Sequence, residues 1–163
     1  MKFFKAIRFD GSDDNVFPKG AEPDEWAVSG SFAFGDMEPD QLTGKLKQAF
    51  ANGLLGLRTG GRTTFVTVSD MTDSEYEEAV QLLIDHLITE FGAPSPEAAE
   101  PHAREEIDFI ADLCSEKPVN TLFAVSREVD DEGNLREAFH EIKRGDPSQQ
   151  DHAKIWEVVP DDG

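Results

Sequence analysis

The chain has 163 residues, with 34 acidic and 15 basic side chains and a formal charge of −19. That length suits one self-sufficient domain, which buries roughly 70% of its unfolded surface, so residues 1–163 are read as a single domain with a loose tail at 160–163. The negative field excludes duplex nucleic acid and anionic membranes as natural partners, and no apolar run approaches the ~20 residues that span a bilayer.

In chain order, residues 2–9 (KFFKAIRF) predict a strand, followed by turn chemistry at Asp10-Gly11-Ser12-Asp13-Asp14 and a loop containing Pro18, Gly20 and Pro23. Residues 26–34 (WAVSGSFAF) predict one strand, with Trp26, Val28, Phe32 and Phe34 on its large face. Residues 39–52 predict a helix striped by Leu42, Leu46, Ala49 and Phe50 and weakened by Gly44. A glycine-dotted loop at 53–61 precedes a β-branched strand at 62–69. Thr72-Asp73-Ser74-Glu75 is a capping box that opens a helix running to Phe91 and stopped by Gly92. Ser95-Pro96 opens another, striped by Ala103, Ile107, Ile110 and Cys114. Residues 121–129 predict a strand and 130–134 a hairpin loop. Residues 135–143 fit either a helical period or a returning strand, and the preceding turn favours the strand. A last strand is expected at 154–159. Helices do not regularly separate these strands, so the expected fold is α+β: a two-layer sandwich with about three helices on one face of a mostly antiparallel sheet.

The stretches KFFKAIRFDGSDDNVF, AEPDEWAVSGSFAF, FVTVSD and KIWEVV resemble a family of small acidic bacterial proteins of unknown function. The resemblance spans most of the chain. It implies an accessory role and supplies no activity, cofactor or catalytic residue.

Charge is distributed unevenly. Residues 1–70 hold 10 acids and 8 bases, and residues 71–163 hold 24 and 7. Between Gln41 and Ser69 there is no acid, only Lys45, Lys47, Arg58 and Arg62. Within that island, Arg58, Gly60, Gly61 and Arg62 form a candidate anion site, with two guanidiniums flanking an approachable glycine backbone. It matches no phosphate-loop pattern, and its bland reading is a loop whose arginines pair with the acidic helices. Residues 71–116 hold 13 acids and one base, Arg104. They form either a solvated face or a docking face for a basic protein, with Glu77, Glu78, Glu105 and Asp108 as the candidate contacts.

Metal chemistry finds no pattern. His86, His102, His140 and His152 make no HxH or HxxxH pair, and none has cysteine at zinc-ligand spacing. His86 and Glu90 could supply two ligands, and residues 10–14 resemble a calcium loop without its sixth-place glycine or twelfth-place glutamate. Cys114 lies on an apolar stripe and reads as a core thiol; it is the sole cysteine, so no internal disulfide forms. Together with the absence of a signal-peptide pattern at residues 1–5, this leads to the expectation of a cytoplasmic protein. No nucleophile motif appears, and no cofactor is implied. The expectation is therefore an acidic accessory protein that binds a basic partner without evident catalysis. The alternative is a binding protein or enzyme holding a small carboxylate or phosphate in the Arg58/Arg62 loop. Twelve phenylalanines leave room for a homo-oligomer interface.

Overall fold

The computed structural model describes residues 1–7, 17–34, 41–142 and 158–160. The Asp10–Asp14 turn, His152 and residues 154–157 of the last expected strand lie outside them. The fold is α+β. Its strands are β1 (Lys2–Ile7), β2 (Trp26–Val28), β3 (Leu54–Gly56), β4 (Arg62–Thr63), β5 (Phe65–Asp70), β6 (Leu122–Val129), β7 (Leu135–Ile142) and β8 (Val158–Pro160). Its helices are α1 (Gly44–Asn52), α2 (Asp73–Thr89) and α3 (Pro96–Cys114), with a 3₁₀ turn at Ser31–Phe34.

Among the described residues the strands form one sheet in the order β4-β3-β2-β1-β5-β6-β7-β8. Every neighbouring pair of strands is antiparallel. β1 lies inside the sheet, paired with β5 from Lys2↔Asp70 to Ile7↔Phe65 and with β2 at Phe4↔Ala27. The core follows from this register. Phe4 and Ala6 oppose Val68 and Val66, and Val66 opposes Phe123. The Phe4 ring lies 5.3 Å from Phe123 and 6.0 Å from Phe139. Helix α3 packs on β1 and β2 and against α2. As the periodicities predict, Val66, Val80, Leu83, Ile107, Ile110 and Phe123 are buried together, with Trp26, Phe32 and Leu87 packed against them. A second cluster joins Phe17, Phe34, Ala49 and Phe50, and α1 packs on β6.

The capping box forms: Glu75 N–H donates to Thr72 Oγ1 at 3.1 Å, and Thr72 N–H donates to Glu75 Oε1 at 2.9 Å. Ser95 caps α3 as expected, and residues 135–142 return as a strand. The structure corrects three expectations. The strand expected over 26–34 ends at Val28. Gly30 has φ of +72°, and a Cβ there would strike Leu55 and Arg62, so only glycine lets the chain leave the sheet and wind into the 3₁₀ turn. The loop expected over 53–61 contains β3, which makes a hairpin with β4. The strand expected over 62–69 breaks at Thr64 into β4 and β5. Among the described residues no helix is long and apolar enough to cross a membrane.

Candidate functional site

The Arg58–Arg62 loop is the β3–β4 turn, and its anion is already inside it. Glu25, 4% exposed, reaches in from the residue before β2. Its Oε1 accepts from the N–H groups of Arg58 and Thr59 at 2.9 and 3.0 Å. Its Oε2 accepts from the Thr59 hydroxyl at 2.7 Å and the Glu22 N–H at 2.6 Å. The remaining loop donors are spent nearby. Gly60 N–H donates to Gly56 O at 2.9 Å, and Gly61 N–H donates to Thr59 Oγ1 at 3.1 Å. A Cβ on Gly61 would run into the Gly20 backbone, so glycine is demanded by packing rather than by a ligand.

The two arginines of that loop do not converge. Arg58 is exposed. Arg62 is buried, and its guanidinium donates to Gly30 O at 3.1 Å and Gly53 O at 3.2 Å and stacks 4.8 Å from the Phe34 ring. Desolvation, then the nearby Arg127 charge, pushes Arg62 down to about 9, so it remains a cation at neutral pH.

Arg127, on β6, is the second buried guanidinium. Its Nη1 donates to Phe50 O and Gly53 O at 2.8 Å each, closing the C-terminal end of α1. Its Nη2 donates to Ser29 O, and its Nε donates to Glu137 Oε2 at 2.7 Å. Ser29 Oγ donates to the same Glu137 oxygen. Together the two arginines hold the end of β2, the end of α1 and the β6–β7 hairpin. Each is a cation against helix-terminal or strand-end carbonyls, where partial negative charge accumulates.

Beside this network, between α3, the Ser29–Phe34 segment and β7, lie two adjoining clefts. One, of about 270 Å³, is lined by Ser29, Ser31, Phe109 and Glu137. The other, of about 180 Å³, is lined by Phe32, Leu87 and His102. Both share Glu105 and Glu106. Burial, then the charges of Glu137 and Glu105, pushes Glu106 up to about 7 from its ordinary 4.5. The folded state therefore holds a proton that the unfolded state has lost between those values. Stability from this group is complete below about pH 4.5 and is lost as pH rises through 7. Glu106→Gln should raise stability at pH 8 by about 1 kcal/mol, allowing for solvent screening, and flatten the urea midpoint across that interval. A midpoint that stays as pH-dependent as wild type refutes this.

Two of the four acidic candidates make contacts across the α2–α3 seam. Glu77 is exposed and pairs with Arg104 at 3.1 Å. Asp108 accepts from the Tyr76 hydroxyl at 2.8 Å. Glu78 and Glu105 are exposed, and Glu105 lines both clefts. Ten of the thirteen acids between residues 71 and 116 are exposed.

Both His86 ring nitrogens are engaged, Nδ1 with Glu90 at 2.8 Å and Nε2 with Leu57 O at 2.6 Å. The ring fastens α2 to the β3–β4 turn, and the Nε2 facing a carbonyl must carry hydrogen. His140 Nε2 lies 2.6 Å from Ser126 Oγ, and its buried Nδ1 has no partner among the described residues. Among the described residues no group of three ligating side chains gathers that could hold a metal.

Sequence reasoning overlooked Glu25, Arg127, Glu137, Glu106 and Phe109. A signal existed for two of them: closing the hairpin on 130–134 sets Arg127 directly opposite Glu137. Neither a curated protein nor a solved structure matches the chain. A family model does, over residues 1–156, so the chain belongs to a family of unknown function (DUF6505).

Proposed function

We propose that the protein is an acidic accessory protein whose α2–α3 face docks a basic protein partner. The observation that supports this most is the exposure of eight acids on these two helices and of Glu90 and Glu116 just beyond their ends, with Arg104 as the helices' one base. Arg104 is itself occupied by Glu77 and Glu100, so most of the negative charge faces outward uncompensated. Such a face steers a cationic surface into encounter and loses its hold as salt screens it beyond about 10 Å at 0.1 M.

The fourfold reversal Glu77→Lys, Glu78→Lys, Glu105→Lys and Asp108→Lys should abolish capture of the partner at low salt while the circular dichroism spectrum stays native. Wild-type capture should itself fade at high salt. Capture that survives the reversal, or that ignores salt, overturns the reading and leaves the charge as a solubility surface.

A further inference from the structure

We infer that the groove formed by the two adjoining clefts seats one arginine side chain of the docked partner, its stem against Phe32 and Phe109 and its guanidinium at Glu105 and Glu106. This rests on the docking reading and adds the anchor that a purely electrostatic face lacks.

Size is the first argument. Neither cleft alone, at about 270 and 180 Å³, reaches the roughly 300–1,000 Å³ of small-molecule pockets, and the lining they share is Glu105 and Glu106, so the groove is two small recesses on either side of the carboxylates, a form suited to an extended side chain. The walls are the second. Phe109 is 46% exposed and stacks 5.6 Å from Phe139. Phe32 is braced edge-on by Phe91 at 5.1 Å. One exposed ring and one half-buried ring, each held by another ring, suit a guanidinium plane.

Charge complementarity is the third argument. The charged and titratable groups facing Glu106 are Glu105 and His102 on its own helix, Glu137 on β7 and Arg127 on β6. Arg127 is spent on Glu137. Among the described residues no lysine or arginine pairs with Glu105 or Glu106. The same surface shows what satisfies such an arrangement. Arg104, the residue before Glu105, lies 5.8 Å from the Tyr76 ring and is clasped by Glu77 and Glu100. The groove offers an aromatic wall and two carboxylates without the cation. A carboxylate kept against its own solvation preference is typical of a binding position.

The test is an NMR titration with a short glycine-flanked arginine peptide and its lysine and citrulline analogues. Saturable amide shifts should concentrate at Ser31, Glu106, Phe109 and Glu137. The lysine peptide should bind several-fold more weakly, because it lacks the planar fork, and the neutral citrulline peptide should not saturate. Glu105→Gln with Glu106→Gln should weaken the arginine peptide about tenfold or more, the loss of charge-assisted bonds. Binding near pH 7 should release a proton as Glu106 ionises. Shifts elsewhere, equal binding of citrulline, or an unaffected double variant overturns the proposal. A triple reversal at Glu77, Glu78 and Asp108, which spares the groove, separates the two readings. If it abolishes partner capture while the peptide titration fails, docking stands without this anchor; if it leaves capture intact while the peptide binds as described, the anchor stands without the wider face.

Discussion

Replacing Arg127 with methionine should cost about 3–5 kcal/mol in a urea titration, the range for breaking a buried charge pair from one side. Its side chain is fully buried and closes three separate pieces of chain. Methionine fills much of the volume but strands the Phe50 carbonyl, leaves the Gly53 and Ser29 carbonyls with only the longer bonds from Arg62, and leaves Glu137 with only the Ser29 hydroxyl. Arg127→Lys should lose most of the same stability, because one ammonium cannot reach carbonyls arrayed around a planar fork. Adding Glu137→Met to the methionine variant should recover part of the loss, since the orphaned carboxylate is then gone. A cost below about 1 kcal/mol for Arg127→Met would show that the carbonyls rehydrate freely and that the arginine is incidental.

Glu25→Ala should be nearly as damaging, at about 3 kcal/mol, because four donors lose a shared charged acceptor at once. The exchange has a diagnostic that a simple packing defect lacks. The vacated loop would present the Arg58 and Thr59 N–H groups and the Thr59 hydroxyl to a small anion, so formate should restore part of the melting temperature, while chloride at equal ionic strength should not. Absence of rescue, with stability still lost, would mean that the β3–β4 turn collapses without its carboxylate. That site is the one imagined for a ligand between Arg58 and Arg62, with the protein's own glutamate as the anion.

Local chemistry was legible where it decided structure locally. The Thr72 capping box, the Ser95-Pro96 start and the turn at Gly133 each satisfy their own backbone within four residues, so their patterns survive in any tertiary setting. Residues 135–142 were ambiguous because Leu135, Ala138, Phe139 and Ile142 fit a helical period; pairing with β6 settles them as a strand. Residues 26–34 read as one strand because alternation continues through Gly30. What ends β2 is remote: Ser29 O and Gly30 O are claimed by arginines 98 and 32 residues away. The candidate site failed to show for the same reason. Glu25 looks like one more surface acid among 34, and Arg62 looks like a loop cation, until a turn and a helix end are folded against them. The acids of α2 and α3 were legible because their exposure follows directly from helical period.

The position of β1 in the sheet has a consequence during synthesis. It is made before every other described strand, yet both of its edges are filled later, one by β2 and the other by β5 after residue 65. At roughly 5–20 residues per second the segment KFFKAI spends seconds with Phe3 and Phe4 uncovered and two open edges, the condition under which nascent strands template one another. Lys2 and Lys5 bracket those phenylalanines in the manner of residues that keep sticky segments apart. In the finished sheet, Lys2 Nζ donates to Lys117 O at 2.8 Å and Lys5 lies 4.8 Å over the Trp26 ring. The charges that hold copies of the nascent strand apart become fastenings once the sheet closes around it.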